Sequence, residues 1–125
     1  MKFHDHKELY HECKKYNIYY LCSAFDLKSL KYLNSNFKLK YFKMPSSEIV
    51  SIYQLDYASK CKKDIILSTG MNDMHSIKNS VKIIKKFKCP LAILHNTNLY
   101  PTPTNLIRSN ALNNLRKKFP NIQMG

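Results

Sequence analysis

Glycine is scarce in this chain of 125 residues, in which Gly70 and Gly125 are the only two. P-loops and dinucleotide-binding turns each need at least two glycines a few residues apart, so both classes of nucleotide-binding loop are excluded. Long apolar runs are also missing. The longest, such as residues 18–21, are far shorter than the roughly 20 residues of a membrane-spanning helix. The start of the chain lacks the apolar core of a signal peptide, so we expect a cytoplasmic protein with no membrane partner.

Paired cysteines are missing as well. The four cysteines contain no C-x-x-C pair, so neither a zinc ribbon nor a redox motif is present, and we interpret all four as thiols. His4, His6 and His11 lie close together in sequence, but helical spacing does not bring all three to one point. We therefore predict no metal ligand from these patterns.

Acidic residues are few: 8 acidic side chains stand against 21 basic ones, which gives a formal net charge of +13. A strongly basic chain is typical of nucleic-acid binding. However, only Arg108 and Arg116 are arginine, the side chain favoured for bidentate phosphate and guanine contacts. Lysine and asparagine are enriched together, which indicates a compositional bias, with the lysines spread over outer helix faces. Nucleic acid is therefore not the expected partner, and a basic nucleic-acid-binding module remains the alternative function.

Short apolar runs rich in β-forming residues recur along the chain, and helix signals follow each of them. The runs are Ile18 to Leu21, Lys40 to Met44, Asp64 to Leu67 and Leu91 to Leu94. An opening helix is predicted over about His6 to Tyr16, and a last strand begins within Ile122 to Met124. The spacing of the runs matches a βα repeat, which predicts an α/β fold with a parallel sheet. Periodicity leaves open whether the sheet is doubly wound or part of a closed barrel.

Helix starts are predicted from polar residues that precede periodic apolar ones. Asp26 and Asp73 are expected to be N-caps of two helices. Residues 46–48 are a third N-cap candidate, before a helix that would bury Tyr53 and Tyr57. A final helix is expected to end before Pro120.

Polar side chains follow the predicted strands, where parallel α/β folds bind their ligands. Within the apolar stretch Tyr41 to Met44, alternation places Lys43 on the same side as Tyr41 and opposite Phe42. A buried lysine needs an anionic partner, so Lys43 indicates either an anion site or a lysine at the edge of the sheet. His95, at the end of another strand, could bind a substrate, but the pattern favours an interior histidine with its hydrogen bonds satisfied.

The segments YYLCSAFD, YFKMPSSE, IILSTGM and LHNTNLYPTP begin at residues 19, 41, 65 and 94. Together they resemble the N-terminal barrel of sialic acid synthases, and the resemblance runs over nearly the whole chain. This family condenses phosphoenolpyruvate with an N-acetylated hexosamine, typically N-acetylmannosamine, to form a nonulosonic acid. The resemblance therefore implies a partial (β/α)8 TIM barrel of about five consecutive βα units.

The same resemblance implies roles for individual residues. It assigns the phosphate and carboxylate of phosphoenolpyruvate to Lys43, Ser46 and Ser68, and Ser23 keeps a hydroxyl where the family usually has threonine. The remaining assignments concern the sugar and the proton. Asn98 and Tyr100 resemble the sugar-contacting residues, and Glu48 is the candidate for proton transfer.

The resemblance also implies parts that these 125 residues do not contain. Residues 1–125 correspond to an incomplete barrel domain, without the C-terminal antifreeze-like domain of the family. A divalent metal, manganese or magnesium, is implied, with ligands beyond residue 125, and family members are homodimers. We therefore expect this chain to be inactive by itself. A small complete flavodoxin-like domain is a third possibility, against which the opening helix without a preceding strand argues.

Overall fold

A four-stranded parallel sheet with five helices forms the architecture of this computed structural model, which describes residues 3–125. The strands pair in the order β1-β2-β3-β4. They are β1 (Tyr41–Met44), β2 (Asp64–Ser68), β3 (Leu91–Leu94) and β4 (Gln123–Met124). The helices are α1 (Phe3–Lys15), α2 (Leu27–Asn36), α3 (Ile52–Lys60), α4 (Met74–Lys86) and α5 (Ser109–Lys118). The predicted α/β fold with a parallel sheet is confirmed.

The predicted strand at Ile18 to Leu21 is wrong. Residues 18–21 form no regular ladder with the sheet, although the ring of Tyr19 contacts that of Tyr41 in β1. An isolated parallel bridge to Lys43 forms two residues further along, at Ser23. Ile18 and Tyr19 are 60% and 65% exposed, so the segment lacks the burial that holds a strand in register. Within the segment, Tyr20 packs against the core, with its ring 5.5 Å from that of Phe37 and 5.8 Å from that of Tyr10 in α1.

The two faces of the sheet differ sharply in burial. Phe42 and Met44 of β1 and Ile93 of β3 lie in the core formed with the helices and are almost completely buried. Tyr41 and Lys43 alternate with them and face the other way, as predicted. That second face is not covered by any helix among residues 3–125, and a shallow cavity of about 440 Å³ lies along it.

The start of α3 differs from the prediction. Residues 46–48 form a short 3-10 turn instead of an N-cap, and α3 begins only at Ile52. This break shifts the helical phase, so Tyr53 is 81% exposed, and Gln54 and Leu55 point into the core instead. Tyr57 is half-buried.

The other helix boundaries follow their predicted signals. Asp26 caps α2 by accepting from Ser29 N at 2.7 Å, and Asp73 caps α4 by accepting from Ser76 N at 2.7 Å. These hydrogen bonds lower the pKa of both carboxyl groups. Helix α5 ends at Lys118, before Pro120. None of the helices within residues 3–125 is long and apolar enough to span a membrane.

Candidate active site

The centre of the candidate site is a hydrogen bond between neighbouring strands. Lys43 Nζ, from β1, donates to Ser68 Oγ at the end of β2 over 2.5 Å and to the carbonyl of Met44 over 3.3 Å. Lys43 and Ser68 approach each other because β1 and β2 pair in parallel register, with Met44 opposite Leu67. Both side chains belong to the carboxyl edge of the sheet, which we define as the carboxyl ends of β1, β2 and β3 together with the loops that follow them.

Lys43 carries a positive charge, and no acidic side chain among the described residues 3–125 forms an ion pair with it. Burial alone lowers the pKa of its ammonium group, because partial removal from water disfavours the charged form. A half-buried ammonium next to a hydroxyl, without a counter-ion, is suited to binding a small anion.

Asparagines connect the loop after β1 to the loops after β2 and β3. Asn98 Nδ2 donates to Ser46 Oγ over 3.3 Å, and Asn72 Nδ2 donates to both Ser46 O and Gly70 O over 2.7 Å. These bonds bring Ser46 and Asn98, two of the predicted site residues, into contact. Another predicted site residue, Ser23, lies beside Lys43 through the isolated bridge.

Asn96 organises the turn after β2 in a way the sequence pattern did not reveal. Its Oδ1 accepts from Thr69 N at 3.2 Å and Gly70 N at 3.1 Å, while its Nδ2 donates to Asn98 Oδ1 at 2.9 Å. A Cβ at Gly70 would lie 1.9 Å from Asn98 Oδ1 and 2.4 Å from Asn96 Nδ2. A methyl group at residue 70 would therefore displace the asparagine side chains and break their hydrogen bonds to this turn.

Glu48 is held by a residue that sequence reasoning missed. Gln54, only 3% exposed in α3, donates from Nε2 to Glu48 Oε2 over 2.6 Å. The Oε1 of Gln54 is buried without a hydrogen-bond partner among the described residues, an arrangement that normally costs stability. Gln54 shares the buried face of α3 with Leu55 and Ala58, and a long polar side chain at that spacing is the signal that could have identified it.

Tyr100 is not brought to this cluster. Its side chain is completely exposed in the loop after β3, next to a cis peptide bond to Pro101. The proposed sugar contact at Tyr100 therefore stays a prediction, as do the roles of the other site residues.

A cavity of about 670 Å³ opens beside the cluster, between the loops after β2 and β3 and the amino ends of α4 and α5. Asn96, Asn98, His95 and Arg108 line it. The Nε2 of His95 is buried and has no hydrogen-bond partner among the described residues, unlike the satisfied interior histidine expected from the pattern. The cavity is thus continuous with the polar site and mixes amide, imidazole and guanidinium groups.

Metal coordination does not fit the residues at this site. Within residues 3–125, no group of three or more histidine, cysteine, aspartate or glutamate side chains could hold a metal ion. Near the cluster, Glu48 is already engaged by Gln54. No chemical step is therefore assigned to a metal here.

Together, the sheet and the polar cluster at its carboxyl edge define an α/β protein whose candidate site lies where parallel α/β enzymes bind their ligands. The NeuB family model matches residues 1–125, and the chain belongs to this family. A relative from Campylobacter jejuni, N,N'-diacetyllegionaminic acid synthase, is 38% identical over 91% of this chain and 35% of its own length. The N-acetylneuraminate-9-phosphate synthase of Drosophila melanogaster is 27% identical, over 94% of this chain and 32% of its own.

Solved structures show the same fold. The N-acetylneuraminic acid synthetase of Leptospira borgpetersenii has a TM-score of 0.88 at 28% identity, over 94% of this chain and 41% of that chain. A putative spore coat polysaccharide biosynthesis protein E from Chromobacterium violaceum has a TM-score of 0.93 over all of this chain, at 20% identity, which shows the fold alone. The sheet therefore fits part of a barrel. The chain spans about a third of the length of the curated relatives it matches.

Proposed function

We propose that this chain is part of a synthase that condenses phosphoenolpyruvate with N-acetylmannosamine or a related N-acetylated hexosamine, forming a nonulosonic acid. The observation that carries the proposal is the Lys43–Ser68 pair, a half-buried cation and a hydroxyl 2.5 Å apart with no acidic partner. Membership of the NeuB family supports it, since the relatives named above are synthases of such acids.

The cluster supplies groups for both ends of phosphoenolpyruvate. Lys43 and Ser68 hold one anionic group. The hydroxyls of Ser23, whose backbone forms a bridge with Lys43, and of Ser46, which is bonded to Asn98, are the candidates for the other. A lysine that carries its charge in a partly dry site attracts an anion more strongly than one in water. The ligand also restores the charge balance that burial of Lys43 disturbs.

The proposed reaction forms one carbon–carbon bond. C3 of phosphoenolpyruvate attacks the aldehyde carbon of the open-chain sugar, water adds at C2, and phosphate leaves by cleavage of its C–O bond. Glu48 is the candidate for the accompanying proton transfer, and Gln54 fixes its carboxylate. Asn98, hydrogen-bonded to Ser46, lies where it can contact a sugar next to the bound anion.

The remaining parts are also proposals. Because the relatives are about three times as long as this chain, we propose that further βα units cover the open face of the sheet. The C-terminal antifreeze-like domain, the manganese or magnesium ligands and the homodimer belong to that larger assembly, which we place in the cytoplasm.

Binding of phosphoenolpyruvate tests the proposal directly. In a ³¹P NMR titration, we expect the 125-residue chain to shift and broaden the phosphate resonance. Lys43→Met should weaken this binding about 10-fold or more, because it removes a charge-assisted contact. Lys63→Met is the matched control, since Lys63 lies at the opposite end of the sheet, just before β2. Equal binding by Lys43→Met and Lys63→Met would refute the anion site.

Turnover is a separate measurement. A coupled phosphate-release assay with phosphoenolpyruvate, N-acetylmannosamine and manganese should show no activity for the 125-residue chain. Phosphate release that depends on the sugar would contradict the expectation of an inactive fragment and would still support the proposed reaction.

A further inference from the structure

Basic side chains are concentrated at one end of the sheet. Of the 21 basic residues, 13 lie in the last turn of a helix or in the loop that leads from it into the next strand segment. Because the strands are parallel, all of these loops lie at the amino ends of the strands, opposite Lys43. We call this surface the basic edge, and it consists of Lys14, Lys15, Lys38, Lys40, Lys60, Lys62, Lys63, Lys85, Lys86, Lys88, Arg116, Lys117 and Lys118.

Few acidic side chains offset this charge. The acids near the basic edge are Glu12, Asp56 and Asp64. Glu12 and Asp56 are engaged by Lys15 at 3.7 Å and Lys60 at 2.6 Å. Most of the basic edge is exposed to solvent, so it presents a nearly uninterrupted positive surface.

A groove lined by tyrosines lies within the basic edge. It has a volume of about 500 Å³ between the end of α1 and the loop before β1, and Tyr10, Lys14, Tyr19, Tyr20 and Lys38 line it. The ring of Tyr19 is 65% exposed. Lys40 sits over it, with Nζ 4.8 Å from the ring centroid and 3.3 Å from the hydroxyl. The groove therefore offers an aromatic ring flanked by ammonium groups.

Helix stability explains only part of this pattern. Lysines in the last turn of a helix interact favourably with the helix dipole, which accounts for residues such as Lys85 and Lys117. It does not account for lysines in the loops, such as Lys38, Lys62 and Lys88, or for the exposed Tyr16 and Tyr19 at the same end of the sheet. The sequence predicts lysines spread over the outer faces of the helices. Most of the basic side chains lie instead at the basic edge.

We propose that the basic edge binds single-stranded nucleic acid, with one base stacked in the tyrosine groove and phosphates along the lysines. Non-specific single-strand binding combines a positive track for the backbone with aromatic rings for the bases, and the basic edge has both. An anionic membrane is less well matched, since the large apolar side chains exposed here are confined to residues 16–19. The basic edge faces away from Lys43, so this inference does not depend on the proposed catalysis.

Fluorescence anisotropy with labelled oligonucleotides of about 12 thymidine or uridine nucleotides tests the proposal. At about 0.15 M salt we expect micromolar binding, with log K falling by about 0.7 per log unit of salt for each phosphate contact. Lys14→Gln combined with Lys38→Gln should weaken binding at least 5-fold and reduce the salt slope by about 1.4. The control is Lys28→Gln combined with Lys82→Gln, which removes the same charge from exposed positions outside the basic edge.

Tyr19 separates stacking from charge. Tyr19→Phe keeps the ring and should bind like the original chain, whereas Tyr19→Leu should bind about 10-fold more weakly. Circular dichroism spectra that match the original chain establish that each variant is folded, and a Tyr19→Leu variant that misfolds leaves the lysine pair to decide.

Three outcomes would overturn the proposal. The first is absence of oligonucleotide binding at about 0.15 M salt. The second is an equal loss of binding in the two double variants, Lys14→Gln with Lys38→Gln and Lys28→Gln with Lys82→Gln. This result would show that oligonucleotide binding depends only on the total charge. The third is tighter binding to phosphatidylserine vesicles than to the oligonucleotide with the same variant pattern, which would identify a membrane surface instead.

Discussion

The lysines at the two ends of the sheet lie in opposite environments. At the carboxyl edge, Lys43 is half-buried, and burial lowers the pKa of its ammonium group. At the basic edge, Lys40 is exposed, and hydrogen bonds to Tyr41 and Tyr19 raise the pKa of its ammonium group. The first lysine has a single hydroxyl partner and no counter-charge, and the second has two aromatic partners and water. The local environment at each end of the sheet therefore determines the direction in which the pKa of a lysine shifts, and the abundance of lysine does not.

The largest expected effect comes from filling the space beside Gly70. Gly70→Ala places a methyl group against Asn96 and Asn98, whose side chains hold the loops at the carboxyl edge. We expect a loss of about 2 kcal/mol in the free energy of unfolding, as for other overpacked sites, together with loss of phosphoenolpyruvate binding. Urea denaturation and the ³¹P titration measure the two effects.

Gly125→Ala is the control for this substitution. Its added methyl group would meet only Leu94 Cδ2 at 3.0 Å, the end of a flexible side chain. A change in stability below about 1 kcal/mol is expected. If the two alanine variants are equally stable, the asparagines do not constrain residue 70.

The next effect concerns the charge of Lys43. Burial lowers the pKa of Lys43, so the unfolded chain binds the ammonium proton more tightly than the folded chain does. The charge of Lys43 therefore destabilises the fold at neutral pH, and this cost shrinks as pH rises through the lowered pKa. Lys43→Met removes this cost and should stabilise the chain at pH 7 by less than about 1 kcal/mol, since remaining contact with water screens the charge. The stability difference between variant and original chain should shrink above the lowered pKa.

Lys40→Met should show the opposite pH dependence. The pKa of Lys40 is raised in the folded chain, so its stabilising contribution is present at neutral pH and disappears only in strongly alkaline solution. Thermal melts of both variants between neutral and alkaline pH would detect the difference. Parallel pH profiles for the two variants would contradict the contrast between the two ends.

A smaller effect is expected at the helix caps of the carboxyl edge. The cap hydrogen bonds from Ser76 lower the pKa of Asp73, so its contribution is present above the unfolded pKa and is lost as pH falls through the folded value. Asp73→Asn keeps an N-cap side chain but loses this acid sensitivity. The melting temperature of the original chain should therefore fall more steeply in acid than that of Asp73→Asn, and identical slopes would argue against the cap.

The smallest expected effect is a salt response of the basic edge. Neighbouring lysines repel one another there, so the melting temperature should rise by a few degrees as added salt screens them. Lys62→Gln combined with Lys88→Gln should reduce this rise, whereas Lys28→Gln combined with Lys82→Gln should reduce it less. A larger reduction from the second pair would place the repulsion elsewhere.

Local signals in the sequence predicted much of this fold. The strands β1 to β4 and the caps at Asp26 and Asp73 follow from alternation and capping within a few residues. The prediction of a strand at Ile18 to Leu21 failed because a short apolar run does not show whether a neighbouring strand pairs with it along its length. The prediction of α3 failed because a break before the helix, at Ser51, changes which residues point inward. The same break brings Gln54 within hydrogen-bonding distance of Glu48.

The site was predictable to the extent that it depends on strand ends. Lys43 and Ser68 meet because the register of parallel strands follows from their spacing. The asparagine bonds and the exposure of Tyr100 depend on loop conformations that no periodic pattern encodes. Amino-acid composition gives the number of lysines but does not show at which end of the sheet they are concentrated.

The hydrogen bonds among the candidate site residues join groups that are far apart in sequence: Lys43 and Ser68 are 25 residues apart, and Ser46 and Asn98 are 52 residues apart. Contacts of such long sequence separation require the closure of long loops, and the entropic cost of that closure delays them during folding. In folding terms, the anion site has a high contact order. It should form late, once β1, β2 and β3 have paired, so the ability to bind an anion should report that these βα units have completed their folding.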